Sequence, residues 1–118
     1  MKPKHIKRIQ SRSRRLKVRQ IARDTFVVTS ASNPVANHIV TVSFGPDATV
    51  RARCTCPWAI NHGVACAHVM AALEYLAARK ERTLSFWGTA EEARRQKHRL
   101  FFLAGDDDGV WITSRSAA

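Results

Sequence analysis

The first half of the chain alternates apolar and polar residues in short extended runs. VRQIAR, TFVVTS, HIVTVSF and TVRARC are all rich in β-branched residues, a composition typical of strands. The segments ASNPVAN and GPDA lie between these runs, and Pro, Gly, Asn and Asp are the residues that favour turns. The pattern predicts an antiparallel β meander. In its last strand Val50, Ala52 and Cys54 share one face, while Arg51 and Arg53 lie on the opposite, outward face.

The hydrophobic period changes in the segment VACAHVMAALEYLAARK. Val69, Leu73 and Leu76 follow one another at spacings of four and three, which predicts an amphipathic helix. Beyond it, Thr89 and Glu92 form the pattern of a capping box, so a short helix is expected through about His98.

The chain closes with RLFFLAGDDDGVWITSR, in which five residues with glycines at both ends join two apolar runs. This pattern predicts a β-hairpin, with Leu100, Phe102, Val110 and Ile112 packing on the earlier part of the chain. The predicted fold class is therefore α+β, a small antiparallel β meander followed by a helix, with a C-terminal helix and β-hairpin.

All three cysteines and two of the five histidines lie in CTCPWAINHGVACAH, residues 54–68. Three thiols cannot all pair, and a bridge between Cys54 and Cys56 would be strained. Cys54, Cys56, Cys66 and His68 offer three thiolates and one imidazole, the ligand set of a closed, structural zinc site. An iron–sulfur cluster and buried thiols without a metal are the alternatives. His62, in the spacer, is interpreted as a solvated loop histidine.

The spacing indicates how the four ligands converge. Residues i and i+2 of a strand point to the same side, so Cys54 and Cys56 can face one ion. On a regular helix the same spacing diverges by about 200°. Cys66 is therefore expected at or just before a helix start, with His68 in the first turn. The metal would then join a strand end to a helix start.

Positive charge is concentrated at the N-terminal end. Residues 1–23 hold ten Lys and Arg and no acid, whereas residues 24–118 hold ten basic and nine acidic residues, so +10 and +1 give the net charge of +11. Such a run binds nucleic-acid phosphates by releasing counterions, without sequence specificity. The candidate phosphate contacts are Lys2, Lys4, Lys7, Arg8, Arg12, Arg14, Arg15, Lys17 and Arg19, with Arg51 and Arg53 on the outward strand face.

Several function classes lack their signatures in this sequence. It has no apolar run of 18 residues and no apolar segment after the first lysines, which predicts a cytoplasmic protein without a membrane partner. It has no Gly-rich phosphate loop and no G-x-S-x-G motif. Asp106, Asp107 and Asp108 are interpreted as turn residues. We expect no enzymatic activity and no small-molecule substrate.

The pattern of Cys54-x-Cys56, a spacer, and Cys66-x-His68 leading into a helix resembles a SWIM-type zinc finger over roughly residues 38–78. The resemblance implies one structural zinc ion and a role in binding DNA or protein. SWIM fingers occur in chromatin-remodelling ATPases, transposases and recombination factors. Many of them carry a basic residue between the last two ligands, where this chain has Ala67.

These observations predict three parts of the chain: a basic tail or helix over residues 1–16, a SWIM-type finger over 17–84, and a C-terminal helix and hairpin over 85–118. The predicted function is nucleic-acid binding, with DNA favoured over RNA. The alternative is an adaptor that binds a DNA-processing ATPase, recombinase or transposase.

Overall fold

The computed structural model of the protein describes residues 6–29, 37–55, 66–104 and 109–116. Their fold is mixed α+β, as predicted. The elements in chain order are α1 (Ile6–Ser13), β1 (Lys17–Ala22), β2 (Thr25–Thr29), β3 (Asn37–Phe44), β4 (Thr49–Cys54), α2 (Ala67–Arg79), β5 (Arg82–Trp87), α3 (Ala90–Arg94), β6 (Arg99–Ala104) and β7 (Gly109–Ser116).

The strands form one sheet in the order β1-β2-β3-β4-β6-β7-β5. Strands β1 to β4 pair antiparallel with their sequence neighbours, which confirms the predicted meander. Strands β6 and β7 also pair antiparallel, as predicted for the C-terminal hairpin. The parallel pairing of β4 with β6 joins these two groups. Strand β5, which the sequence analysis did not assign, pairs with β7 at the edge.

Helix α2 lies inside the curve of this sheet. It contacts β1, β2, β3, β4 and β5, and these include the strands at both edges. Seven strands spaced about 4.8 Å apart would span about 29 Å if flat, whereas a helix is only about 10 Å wide. The sheet therefore curls around α2. Val69, Met70 and Ala72 of this helix are fully buried.

Helix α1 covers the open edge of β5. The Gln10 Nε2 atom donates to the Leu84 carbonyl oxygen at 2.9 Å, and the Phe86 backbone N–H donates to Gln10 Oε1 at 3.3 Å. Gln10 thus takes the place of a neighbouring strand for backbone groups that an edge leaves unpaired. The same Nε2 atom lies 3.2 Å from Glu74 Oε1 of α2. The Ser13 hydroxyl lies 3.0 Å from Glu74 Oε2, so α1 is fixed to both α2 and β5.

The residues of β6 that face the core are not those that were predicted. Leu103 is fully buried and Phe101 packs against the core, opposite Val110 and Ile112 of β7. The prediction was right for Val110 and Ile112 and wrong for two residues of β6, Leu100 and Phe102. These two pair with Thr113 and Trp111 on the other face of the sheet.

The short third helix is capped as predicted but ends earlier. The Glu92 backbone N–H donates to the Thr89 side-chain oxygen at 3.2 Å, which confirms Thr89 as the N-cap. The helix was expected through about His98 and ends at Arg94. Lys97 has a φ of 55°, a left-handed conformation that a right-handed helix cannot include. Within the described parts of the chain, no helix is long and apolar enough to cross a membrane.

Candidate metal centre

Strand β4 places one predicted ligand against α2. Its exposure alternates, with Val50, Ala52 and Cys54 buried and with Arg51 and Arg53 exposed, as predicted. Cys54 is the last residue of the strand. Its side chain therefore leaves the sheet on the side of the helix, at the point where the strand ends.

Cys66 and His68 lie where the spacing predicted, at the start of α2. Cys66 is the N-cap, with extended backbone angles of φ −95° and ψ 158°, and its Sγ accepts a hydrogen bond from the Val69 backbone N–H at 3.4 Å. First-turn N–H groups of a helix have no partner within the helix, and the Cys66 sulfur accepts a hydrogen bond from one of them. His68 is in the first turn, and its Nδ1 atom is buried.

Three of the four predicted ligands converge. One ligand atom each from Cys54, Cys66 and His68 lies within 4.8 Å of the others. Two sulfurs on a tetrahedral zinc ion are about 3.8 Å apart, because each Zn–S bond is about 2.3 Å. Two sulfurs and one imidazole nitrogen this close together therefore fit zinc. Cys56 lies outside the described residues, so its place as the fourth ligand stays a prediction.

His38 lies against the site, and the sequence analysis did not single it out. Its ring centroid is 4.3 Å from that of His68, with 48° between the ring planes. His38 precedes the buried residues Val40 and Val42 on the same face of β3. Val40 is paired with Cys54. The alternation along β3 could therefore have predicted this position, because it places His38 on the face of the sheet that carries Cys54.

A comparison with known protein families matches residues 38–77 to the SWIM zinc finger. This segment is therefore similar to a SWIM zinc finger. The match covers 40 of the 118 residues, beginning at His38 and ending within α2. It confirms the resemblance over residues 38–78. No curated protein and no solved structure matches the chain. The SWIM match and the cluster of Cys54, Cys66 and His68 support one structural zinc ion.

Most of the predicted phosphate contacts that the structure describes lie on two surfaces. One is the exposed side of α1, with Arg8 and Arg12, continued by Arg15 just after the helix; we call it the α1 surface. The other is the face of the sheet turned away from α2, which we call the outer sheet face. It carries exposed basic residues of β1 and β4, namely Lys17, Arg19, Arg51 and Arg53.

Two of the predicted contacts are engaged within the protein. The Lys7 Nζ atom lies 3.6 Å from the centroid of the Trp87 ring, the geometry of a cation–π contact. Burial is the main cause that lowers the pKa of Lys7; the nearby Glu92 raises it and Arg14 lowers it. The Arg14 Nε atom lies 3.6 Å from Glu74 Oε1.

Other residues named from the sequence lie outside the described residues. They are Lys2, Lys4, His62, Asp106, Asp107 and Asp108. The interpretations given to them stay predictions.

Proposed function

We propose that the protein is a zinc-organised module that binds nucleic acid, DNA in the first place, mainly through phosphate contacts. The observation that carries the proposal is the concentration of ten basic and no acidic residues in residues 1–23. Charge neutralisation of this kind supplies most of the sequence-independent affinity of proteins for nucleic acid.

The α1 surface is the proposed main contact. The buried side of α1 is held by Gln10 and Ser13. Arg8 and Arg12 therefore project from a helix that is already fixed, and Arg15 follows just after it. Phosphate binding then orders side chains and not backbone, which lowers the entropic cost of association. Lys7 and Arg14, which contact Trp87 and Glu74, are expected to contribute less.

The outer sheet face is the proposed second contact. Arg51 and Arg53 lie on β4, three strands away from Lys17 and Arg19 on the edge strand β1. Arg15 of the α1 surface is two residues before Lys17 of the outer sheet face, so the two surfaces come close together at this point of the chain. A single nucleic acid can then contact both.

Zinc is proposed to act through the fold. Cys54, Cys56, Cys66 and His68 would hold the ion, which would tie the end of β4 to the start of α2. When bound, a four-coordinate zinc ion of this kind supplies folding free energy and leaves no position for a reacting water. The SWIM segment thereby fixes the strand that carries Arg51 and Arg53.

The test is a salt titration of binding to labelled single-stranded DNA, duplex DNA and RNA. Deleting residues 1–16 would also remove Gln10 from the edge of β5, so substitutions on the α1 surface are cleaner. The test variant is the triple substitution Arg8→Gln, Arg12→Gln, Arg15→Gln. The control is Arg94→Gln, Arg95→Gln, Lys97→Gln around α3, which removes the same net charge.

The zinc-loaded protein is expected to bind duplex DNA with an affinity that falls steeply with salt. The α1 triple variant should lower the slope of log affinity against log salt by about 2 to 3, since each phosphate contact contributes about 0.9. The α3 control should change it much less. Equal losses in the two variants, or no binding near physiological salt, would contradict the proposal.

The second proposed function is that of an adaptor. It predicts that a DNA-processing protein, and not bare nucleic acid, is the specific partner. The apolar groove described below is the structural feature that favours it. A lack of enzymatic activity and a cytoplasmic location stay predictions.

A further inference from the structure

A groove opens between the C-terminal half of α2 and the inner face of the sheet. Its volume is about 270 Å³. The apolar part of its lining includes Phe44, Leu76 and Phe101, and its basic part consists of Lys80, Arg82 and Arg99. It lies on the inner side of the curled sheet and is thus distinct from the outer sheet face and from the α1 surface.

The apolar part of the groove reaches the protein surface. Phe44, at the end of β3, is 65 % exposed, although phenylalanine is among the residue types most often buried. Leu76 and Phe101 pack on the core and are only partly buried. A large exposed aromatic ring beside an open apolar cavity is typical of a binding surface.

Three cations surround this apolar surface. Lys80 caps the end of α2, Arg82 begins β5 and Arg99 begins β6. Arg82 is held in place because its Nε donates to Ser114 Oγ at 2.6 Å and its Nη2 donates to the Ser114 carbonyl oxygen at 2.8 Å.

Among the described residues, none forms an ion pair with any of the three cations. In the described parts of the chain, the ion pair within 4.0 Å is that of Arg14 with Glu74, which lies on the side of α2 that faces α1. Glu81, between Lys80 and Arg82 in sequence, forms no ion pair with them. The rim of the groove is therefore a site of uncompensated positive charge beside apolar surface.

We propose that this groove binds an acidic peptide segment of a partner protein through two neighbouring bulky apolar side chains. The side chains would occupy the space beside Phe44, Leu76 and Phe101, while carboxylates of the segment would face Lys80, Arg82 and Arg99. This is the helix-in-groove mode, in which apolar residues three or four positions apart anchor an amphipathic segment.

Size and charge select this occupant over the others. Small-molecule sites usually enclose most of their ligand in about 300–1,000 Å³, whereas this groove of about 270 Å³ is open on one side. A fatty acid brings one carboxylate for three separated cations. A second copy of the chain carries a net charge of +11, so like-charge repulsion opposes its approach. An acidic segment with apolar anchors complements both the cations and the apolar surface.

The inference does not depend on nucleic-acid binding, because the groove shares no residue with the proposed phosphate contacts. It gives the adaptor alternative a definite surface and a partner chemistry. Measuring DNA binding by the same variants keeps the two proposals distinguishable.

The test is fluorescence anisotropy with the zinc-loaded full chain and a labelled peptide of about 14 residues, rich in Glu, with two Leu four positions apart. The matched peptide has Ser in place of both Leu and the same charge. The variants are Phe44→Ser and Arg99→Glu, both at exposed side chains, and the control is Arg95→Glu just after α3. Each variant is also titrated with duplex DNA.

We expect micromolar binding of the Leu peptide at about 150 mM salt, and binding at least about tenfold weaker for the Ser peptide. Phe44→Ser and Arg99→Glu should each weaken the Leu peptide by a similar factor, while Arg95→Glu leaves it unchanged. DNA binding should be unchanged by Phe44→Ser.

Four outcomes would overturn the proposal. They are no binding of the Leu peptide, equal binding of both peptides, equal losses in Arg99→Glu and Arg95→Glu, and binding of decanoate at this groove without binding of the peptide. A dimer in sedimentation that Phe44→Ser dissociates would assign the groove to a second copy instead.

Discussion

Single side chains in this protein serve the fold and the metal site together. Cys66 caps α2 through the Val69 N–H and lies with Cys54 and His68 in the metal cluster. The cap and the metal ligand can be separated by chemistry, because a serine oxygen caps a helix well but is a poor zinc ligand.

Cys66→Ser should therefore lose zinc without losing the cap. We expect its zinc content to fall well below one per chain and its stability to fall, since structural zinc supplies about 10–16 kcal/mol of apparent binding free energy in small fingers. With a chelator present, wild type and variant should unfold at nearly the same urea concentration. Full zinc content in the variant, measured by atomic absorption, would rule the ligand out.

His38 should support the metal site through its contact with the His68 ring. Residues that orient a ligand typically change metal affinity by about 10- to 100-fold when removed. We expect His38→Ala to weaken zinc binding by about tenfold in competition with a chromophoric chelator, and His38→Phe to restore much of it by restoring ring packing. His98→Ala, at an exposed position, is the control. Unchanged affinity in His38→Ala would refute this role.

Gly109 should tolerate no side chain. A Cβ atom there would overlap the Leu103 carbonyl oxygen and the Phe102 ring, and the Phe102 ring already packs against Trp111 at 4.7 Å between centroids. Gly109→Ala is expected to lower the free energy of unfolding by about 1–3 kcal/mol, as other overpacked sites do. Gly88→Ala, where no described residue other than the two chain neighbours lies within 4 Å of the new Cβ, should change it by less than about 0.5 kcal/mol. Urea unfolding of both variants tests the contrast.

Helix α1 and strand β5 stabilise each other. Strand β5 is an edge strand that pairs with β7 on one side, and α1 is an eight-residue helix, too short to be stable alone in water. Gln10 joins them with one amide group, which both donates to and accepts from the edge of β5.

Gln10→Leu tests this junction. Leucine has a similar size but leaves the Leu84 carbonyl and the Phe86 N–H without their partner, which costs about 1–3 kcal/mol for each buried group. We expect lower stability in urea and faster hydrogen exchange of the Phe86 amide. Gln96→Leu, whose side chain makes only an exposed bond to the Glu92 carbonyl, should have little effect. Unchanged exchange at Phe86 would show that α1 does not protect the edge.

Elements with a local pattern could be predicted from the sequence, and their partners over long range could not. The meander and the start of α2 follow from alternation and from the Cys66-x-His68 spacing. The run LFFL at residues 100–103 is apolar at every position. The alternation of a strand therefore could not indicate which of its two faces is buried. The parallel pairing of β4 with β6 leaves no local trace, because those strands are far apart in sequence.

The candidate site also combines residues with a local sequence pattern and residues that only the fold brings together. Cys54, Cys66 and His68 could be predicted because their residue types and spacing are those of a known metal-ligand pattern. His38 lies outside the Cys-x-Cys and Cys-x-His spacing and reaches the site through the register of β3 with β4. The groove is assembled from five strands and one helix, so no segment of the sequence contains it.

At the scale of the whole molecule, one curled sheet connects the metal site to the C-terminal strands. Strand β4 carries Cys54 and pairs with β6, which pairs with β7. Zinc binding at the end of β4 should therefore stabilise strands that never touch the ion.

Removal of zinc tests this connection. In a Trp58→Phe background, the fluorescence of Trp87 and Trp111 reports on β5 and β7. We expect a chelator to lower the melting temperature seen by these two tryptophans and by far-ultraviolet circular dichroism to the same extent, as a single cooperative unit requires. An unchanged tryptophan transition, with loss of circular dichroism alone, would mean that the C-terminal strands fold independently of the metal.

The docking of α1 on β5 also affects the order in which elements fold during synthesis. The ribosome makes α1 before the residues on which it packs, which are Glu74, Leu84 and Phe86. Until those residues emerge, the basic helix has nothing to pack on, and closing a loop of more than 60 residues carries an entropic cost. Helix α1 is thus translated before its partners and fixed only after they have emerged. A polypeptide fused to the N-terminal side of α1 would therefore be present while the edge of β5 is still unpaired.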